Sequence, residues 1–250
     1  MTIDPIHQFQ IHNLVPIFNL GGHEIAFTNS ALFMLIIVAL VSLLLIGATA
    51  PRAIVPGRLQ SMAEMTYEFV AETVVNSTGT EGMKFFPFVF TLFMFVLFAN
   101  VIGLIPYSFT VTSQLIITAM LALLVFFIVV IYGFWRNGLH FLNLFVPKGV
   151  PIYILPAIVA IEILSFLSRP VSHSVRLFAN MLAGHITMQV FAGFIIMLAG
   201  FGVLGWFGAA LPFIMVVMLT ALECLVALLQ AYVFAILTCI YLNDAIHPGH

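Results

Sequence analysis

Several charged side chains sit where a strongly apolar sequence should have none. Glu162, Arg169 and Arg176 follow one another at intervals of seven residues. At about 100° per residue, seven steps leave each about 20° behind the last. The three therefore share one helix face, provided that Pro170 bends the helix and does not break it. Ser165, Ser172, His173 and Asn180 fall on or beside that stripe. His185 comes nine residues after Arg176 and so points to the opposite side. Glu223 and Gln230, again seven apart, share a face of the following helix. Glu and His bind and release protons, whereas Arg stays protonated. Titrating groups with a fixed cation among them make up a proton path. The cation attracts a carboxylate that has lost its proton, and it turns back a proton moving on the same route. Plain structural pairing is the competing reading. It is the favoured reading for Arg169, beside Pro170, and more so for His173; Ser172 and His173 stay further candidates for the path. It does not account for Glu162, Arg176, His185, Glu223 and Gln230 together, because a structural pair does not need groups spread over two helices.

The composition says what surrounds these groups. The chain has 250 residues, of which 63% are apolar and only 6% are charged. A soluble domain carries about 25% charged residues. So little charge excludes a soluble enzyme, a disordered protein and a nucleic-acid binder. No Gly-rich phosphate loop with Lys and Ser/Thr is present, so no nucleotide site is expected. Cys224 and Cys239 form no metal motif and read as small apolar packing residues. An ionised side chain near the middle of a membrane helix costs about 2.5–3.5 kcal/mol, so the buried charges call for a function.

The elements that must position them follow from the apolar runs. A bilayer core takes about 20 apolar residues in a helix. The reading is one membrane domain over 1–250 and an all-α polytopic fold. Residues 1–26 form a tail, 27–50 a first span closed by Pro51-Arg52, and 57–78 an amphipathic helix too polar to span. That helix stacks Glu64, Glu68 and Glu72 at four-residue intervals, with Met62, Met65, Phe69 and Val70 on another face. Residues 85–135 carry no charge. Gly103, Pro106 and Ser108 divide that run into spans at 85–105 and 112–135. Between Arg176 and Glu223 lie 46 uncharged residues, enough for a hairpin of two long helices over 150–200 and 205–245. Arg52, Arg58, Lys84, Arg136 and Lys148 all fall in connections on one side. That side is expected to be cytoplasmic, which puts the N-terminus outside and the C-terminus inside.

The run from Ser168 to His185, SRPVSHSVRLFANMLAGH, closely resembles the signature of subunit a of the F-type ATP synthase. Leu222 to Phe234, LECLVALLQAYVF, resembles the motif of that family's last helix. The resemblance covers the whole chain in order, and the combination of His185 with Glu223 resembles its alphaproteobacterial and mitochondrial branch. It implies a stator proton-channel subunit in a bacterial inner membrane (or, alternatively, a mitochondrial inner membrane), with no catalytic site, metal or cofactor of its own. It implies two last helices tilted strongly around a rotating ring of c subunits. Arg176 corresponds to the stator arginine facing that ring. Asn180, His185 and Glu223 correspond to the half-channel from the periplasm, and Gln230 to the glutamine near the arginine. Glu162 corresponds to a carboxylate of the outlet toward the cytoplasm, where Tyr241 and Asp244 are further candidates. The other implied partners are b-type peripheral stalk subunits, the remaining ATP synthase complex, membrane lipid and the transported protons.

Overall fold

Long apolar runs with few internal breakers become helices here, and Gly or polar clusters end them. The computed structural model describes residues 10–20, 23–49, 56–105, 108–146 and 153–247, with backbone alone at 17–20, 23–25, 203 and 204. Pro51, Arg52, Pro106 and Lys148, all used in the sequence reading, lie outside them. A hairpin of β1 (Asn13–Leu20) and β2 (His23–Thr28) comes first. Six helices follow: α1 (Asn29–Thr49), α2 (Arg58–Thr78), α3 (Phe86–Gly103), α4 (Leu115–Asn137), α5 (Leu155–Ala199) and α6 (Val203–Ile246). Five of the helical segments are long and apolar enough to cross a membrane, and α2 is not one of them. The fold class is thus the expected all-α polytopic one. The hairpin is an addition to it.

The described residues form two compact units. The first holds the chain through Ser42 together with Phe95–Gln114 and Leu177–Gln230. In it, β1 and β2 pair antiparallel from Asn13↔Thr28 to Leu20↔His23. Thr28 Oγ1 accepts the Ala31 N–H at 3.3 Å, which satisfies one free donor at the start of α1. Asn29 ties that start to the chain before β1: its Nδ2 donates to Gln10 O, and its Oδ1 accepts the His12 N–H. At the end of α3, the Ser108 hydroxyl lies within hydrogen-bond distance of the Ile102 and Ile105 carbonyls, which also accept the Ile105 and Ser108 N–H groups. The α5–α6 turn needs Gly202, whose φ of +77° lies in the left-handed region.

The second unit holds Leu43–Met94, Leu115–Arg176 and the chain from Ala231 on. Here α2 buries Val70, Thr73, Val74 and Thr78 and leaves Glu64, Glu68 and Glu72 to the outside or its edge. Tyr67 lies edge-on to Phe86, and Phe69 packs 5.3 Å from Tyr232 of α6. Phe141, after α4, lies over Gly133, where any added Cβ would overlap its ring. Phe166 of α5 then packs among Phe126, Phe141 and Phe145. Asn137 Nδ2 donates to Ala245 O at 2.7 Å, fixing the end of α4 to the end of α6. Helix α5 runs unbroken through Pro170.

Candidate functional site

The first unit gathers one set of the candidate residues. His185 is only 6% exposed, and its Nε2 lies 3.2 Å from Thr110 Oγ1. Glu223 on α6 is 8% exposed, and neither carboxyl oxygen has a hydrogen-bond partner among the described residues. Its carboxyl rests over Gly184, the residue before His185, so closely that a Cβ there would fall inside it. Asn100 of α3 is fully buried and donates from Nδ2 to Ala227 O, one turn along α6 from Glu223. Asn180 is half-buried and Gln230 is buried, and neither makes a hydrogen bond within the described residues. A buried carboxyl with unsatisfied oxygens is stable only when protonated or reached by water. This carboxyl therefore has the chemistry of a proton-binding site, and the same unit holds the His185 imidazole beside the Thr110 hydroxyl.

The second unit gathers another set. Arg169 Nη1 meets Asp244 Oδ2 at 2.6 Å. Its guanidinium also lies 5.2 Å from the Phe166 ring centre and 5.1 Å from that of Tyr241. This is an ion pair cushioned by two aromatic faces. His173 stacks against Phe234 at 3.8 Å and lies 6.0 Å from Tyr241. Next to it, the buried Ser174 hydroxyl lies 3.2 Å from Thr118 on α4. Glu162 is half-buried and Ser172 exposed, and neither has a hydrogen-bond or ionic partner among the described residues. Arg176 is exposed on α5, one turn from Ser172 on one side and Asn180 on the other, and makes no ion pair among the described residues.

Two contributors escape a reading of the sequence. Thr110 is separated from His185 by 75 positions, and Gly184 matters only because another helix brings a carboxyl onto it. Asn100 did carry a signal, as an amide inside the apolar span at 85–105.

Comparison with known proteins decides the family. Residues 31–243 match the family described as ATP synthase A chain. The chain belongs to that family. It is 65% identical over 248 residues to ATP synthase subunit a of Rhodopseudomonas palustris strain BisB18, covering 99% of this chain and all of that one. It is 64% identical over 248 residues to the subunit a of Nitrobacter hamburgensis, again covering 99% of this chain and all of the relative. With that of Xanthobacter autotrophicus it is 64% identical over 250 residues, the full length of both. As a family member it is a multi-pass, membrane-embedded, proton-translocating component of the ATP synthase membrane sector, and the family's subunit a lacks a catalytic site.

Proposed function

We propose that this chain is the stationary half of a rotary proton motor, with two offset half-channels that exchange protons with carboxylates on a rotating ring of c subunits. The inlet, from the periplasm, uses His185, Glu223 and Asn180, supported by Thr110 and Asn100. The outlet, toward the cytoplasm, uses Glu162, with Tyr241 and Asp244 beside it. Gln230 takes the place of the family's glutamine at the ring interface. The orientation is N-terminus periplasmic and C-terminus cytoplasmic in a bacterial inner membrane, and α2 meets a b-type peripheral stalk. At about 1.5 Å per residue, α5 with its 45 residues is about 68 Å long, over twice a bilayer core of about 30 Å. Strong tilt around the ring accommodates that length. The grouping of side chains supports the two-path reading: the inlet residues belong to one compact unit, and the outlet residues with Arg176 to the other.

The observation that carries the proposal is Arg176. An exposed guanidinium without an anion costs about 2.5–3.5 kcal/mol near the centre of a membrane helix. A carboxylate from a partner removes that cost. A proton entering beside Glu223 neutralises the ring carboxylate, which then moves into lipid. After a turn it reaches the outlet, loses the proton and is drawn to Arg176. One charge crossing 100 mV releases about 2.3 kcal/mol, so each ATP requires several protons.

The test compares two variants in the whole complex. Arg176→Lys keeps a charge but as a compact, hydrated ammonium that can lose its proton. It is expected to abolish coupled synthesis. Arg176→Ala is expected to stop synthesis and to raise passive proton conduction through the membrane sector after the catalytic head is removed. Near-normal synthesis by Arg176→Lys would overturn the fixed-charge role.

A further inference from the structure

Between α4, α5 and the end of α6, all within the second unit, lies a small, partly open cavity of about 10 Å³. Its wall is mostly apolar, from Ala122, Val125, Phe126 and Val129 of α4 with Phe166 and Pro170 of α5. Three of its lining residues are polar: Arg169, His173 and Tyr241. His173 is only 3% exposed, and its Nε2 has no hydrogen-bond partner among the described residues. A ring nitrogen buried this deeply without a hydrogen-bond partner is costly, and a water that satisfies it removes that cost. A cavity of this size with two or more polar partners accommodates a single water. Arg169 is already committed to Asp244 by one nitrogen and retains other N–H donors.

We propose that this cavity is a binding site for one water, held by His173 Nε2 and shared with Tyr241 or Arg169, and that the water is a relay point of the outlet path. The proposal rests on the outlet reading given above and adds to it a residue, His173, and a ligand. His173 acts here as a positioning residue. Nε2 accepts one hydrogen of the water, and Arg169 or Tyr241 donates to one of its lone pairs. A proton arriving at the other lone pair is matched by release of the water's second hydrogen onward, so no hydronium is held there and water and imidazole end unchanged. No covalent bond outside the water is made or broken, and no other reactant is needed.

The test has a structural arm and a functional arm, both on the assembled membrane sector. A density map of the wild-type sector at a resolution that shows ordered water is expected to place one within hydrogen-bond distance of His173 Nε2. A dry cavity overturns the proposal whatever the variants do. In the functional arm, His173→Leu fills the position without an acceptor, and passive proton conduction is expected to fall about tenfold. His173→Gln cannot titrate but can hold a water, and it is expected to keep conduction within about threefold of wild type. Equal, severe losses in both variants, with the complex assembled at normal yield, would replace water-holding by titration and overturn the proposal. So would wild-type conduction in His173→Leu. Arg176→Ala serves as the reference. If it changes conduction while His173→Leu does not, only the water site fails. If neither changes it, the channel reading fails first.

Discussion

Gly184 sets how close a carboxyl can come to the backbone of α5. Glu223 occupies the space where any other residue would carry its Cβ. Gly184→Ala therefore displaces the carboxyl, the end of a flexible side chain that swings aside at little cost to folding. We expect proton-driven synthesis to fall about tenfold or more, with the chain still assembled, because the perturbation sits where the proposed inlet proton binds. ATP synthesis by inverted vesicles under an imposed proton gradient measures it, and wild-type synthesis would separate Glu223 from the inlet. The residue scale also shows what a sequence reveals. The seven-residue spacing of Glu162, Arg169 and Arg176 is visible in one dimension, because a helix maps it directly onto a face. The partners are not visible. Arg169 finds Asp244 and His185 finds Thr110, each across 75 positions of chain. Asp244 was thus singled out as an outlet candidate without the cation that holds it.

Helices are the elements that the sequence shows most directly. Uncharged stretches of membrane length leave few alternatives to a helix, and Gly79, with φ of +68°, closes α2 where the polar pattern stops. The β-hairpin was less visible. Leu20 pairs with His23, a register that fits Gly21-Gly22 in the sequence between them, a recognised hairpin signal. Pro16 inside β1 argues against a strand, and Asn and His interrupt the alternation. Helix α5 was open to doubt at Pro170, since an internal proline removes a ladder bond and costs about 3 kcal/mol. The helix continues, and its neighbours Phe166 and Arg169 are held by ring packing and the Asp244 ion pair. At this scale the placement of α2 is testable. Its exposed Glu68, on a helix too polar to span, is expected to lie on the cytoplasmic face. A cysteine introduced there in an otherwise cysteine-free chain should react with an impermeant maleimide in inverted vesicles and not in intact cells. Labelling of intact cells would reverse the orientation.

The whole molecule leaves much of its apolar surface uncovered by its own residues. Along α6, Leu211, Met218, Leu222, Leu225 and Leu229 are all largely exposed, and on α5 Leu164, Leu167 and Val171 are as well. Lipid covers such a surface without difficulty, but it does not neutralise Arg176 among it. That combination distinguishes a subunit that needs a partner from a transporter that works alone. In a self-contained transporter, one continuous or alternating route joins the two sides. In the arrangement proposed here, the inlet ends at Glu223 in one unit, the outlet begins in the other, and only a moving carboxylate connects them. The chain purified alone and sealed into vesicles should therefore pass protons no faster than protein-free vesicles. A potassium diffusion gradient with valinomycin supplies the driving force, and an internal pH dye reports the flux. Adding the c ring during reconstitution should raise the flux well above that baseline, and Arg176→Ala with the ring should raise it further, because the cation that turns protons back is gone. A substantial proton flux through the chain alone would mean that its two polar clusters connect without a partner, and the rotary reading would have to give way to a transporter.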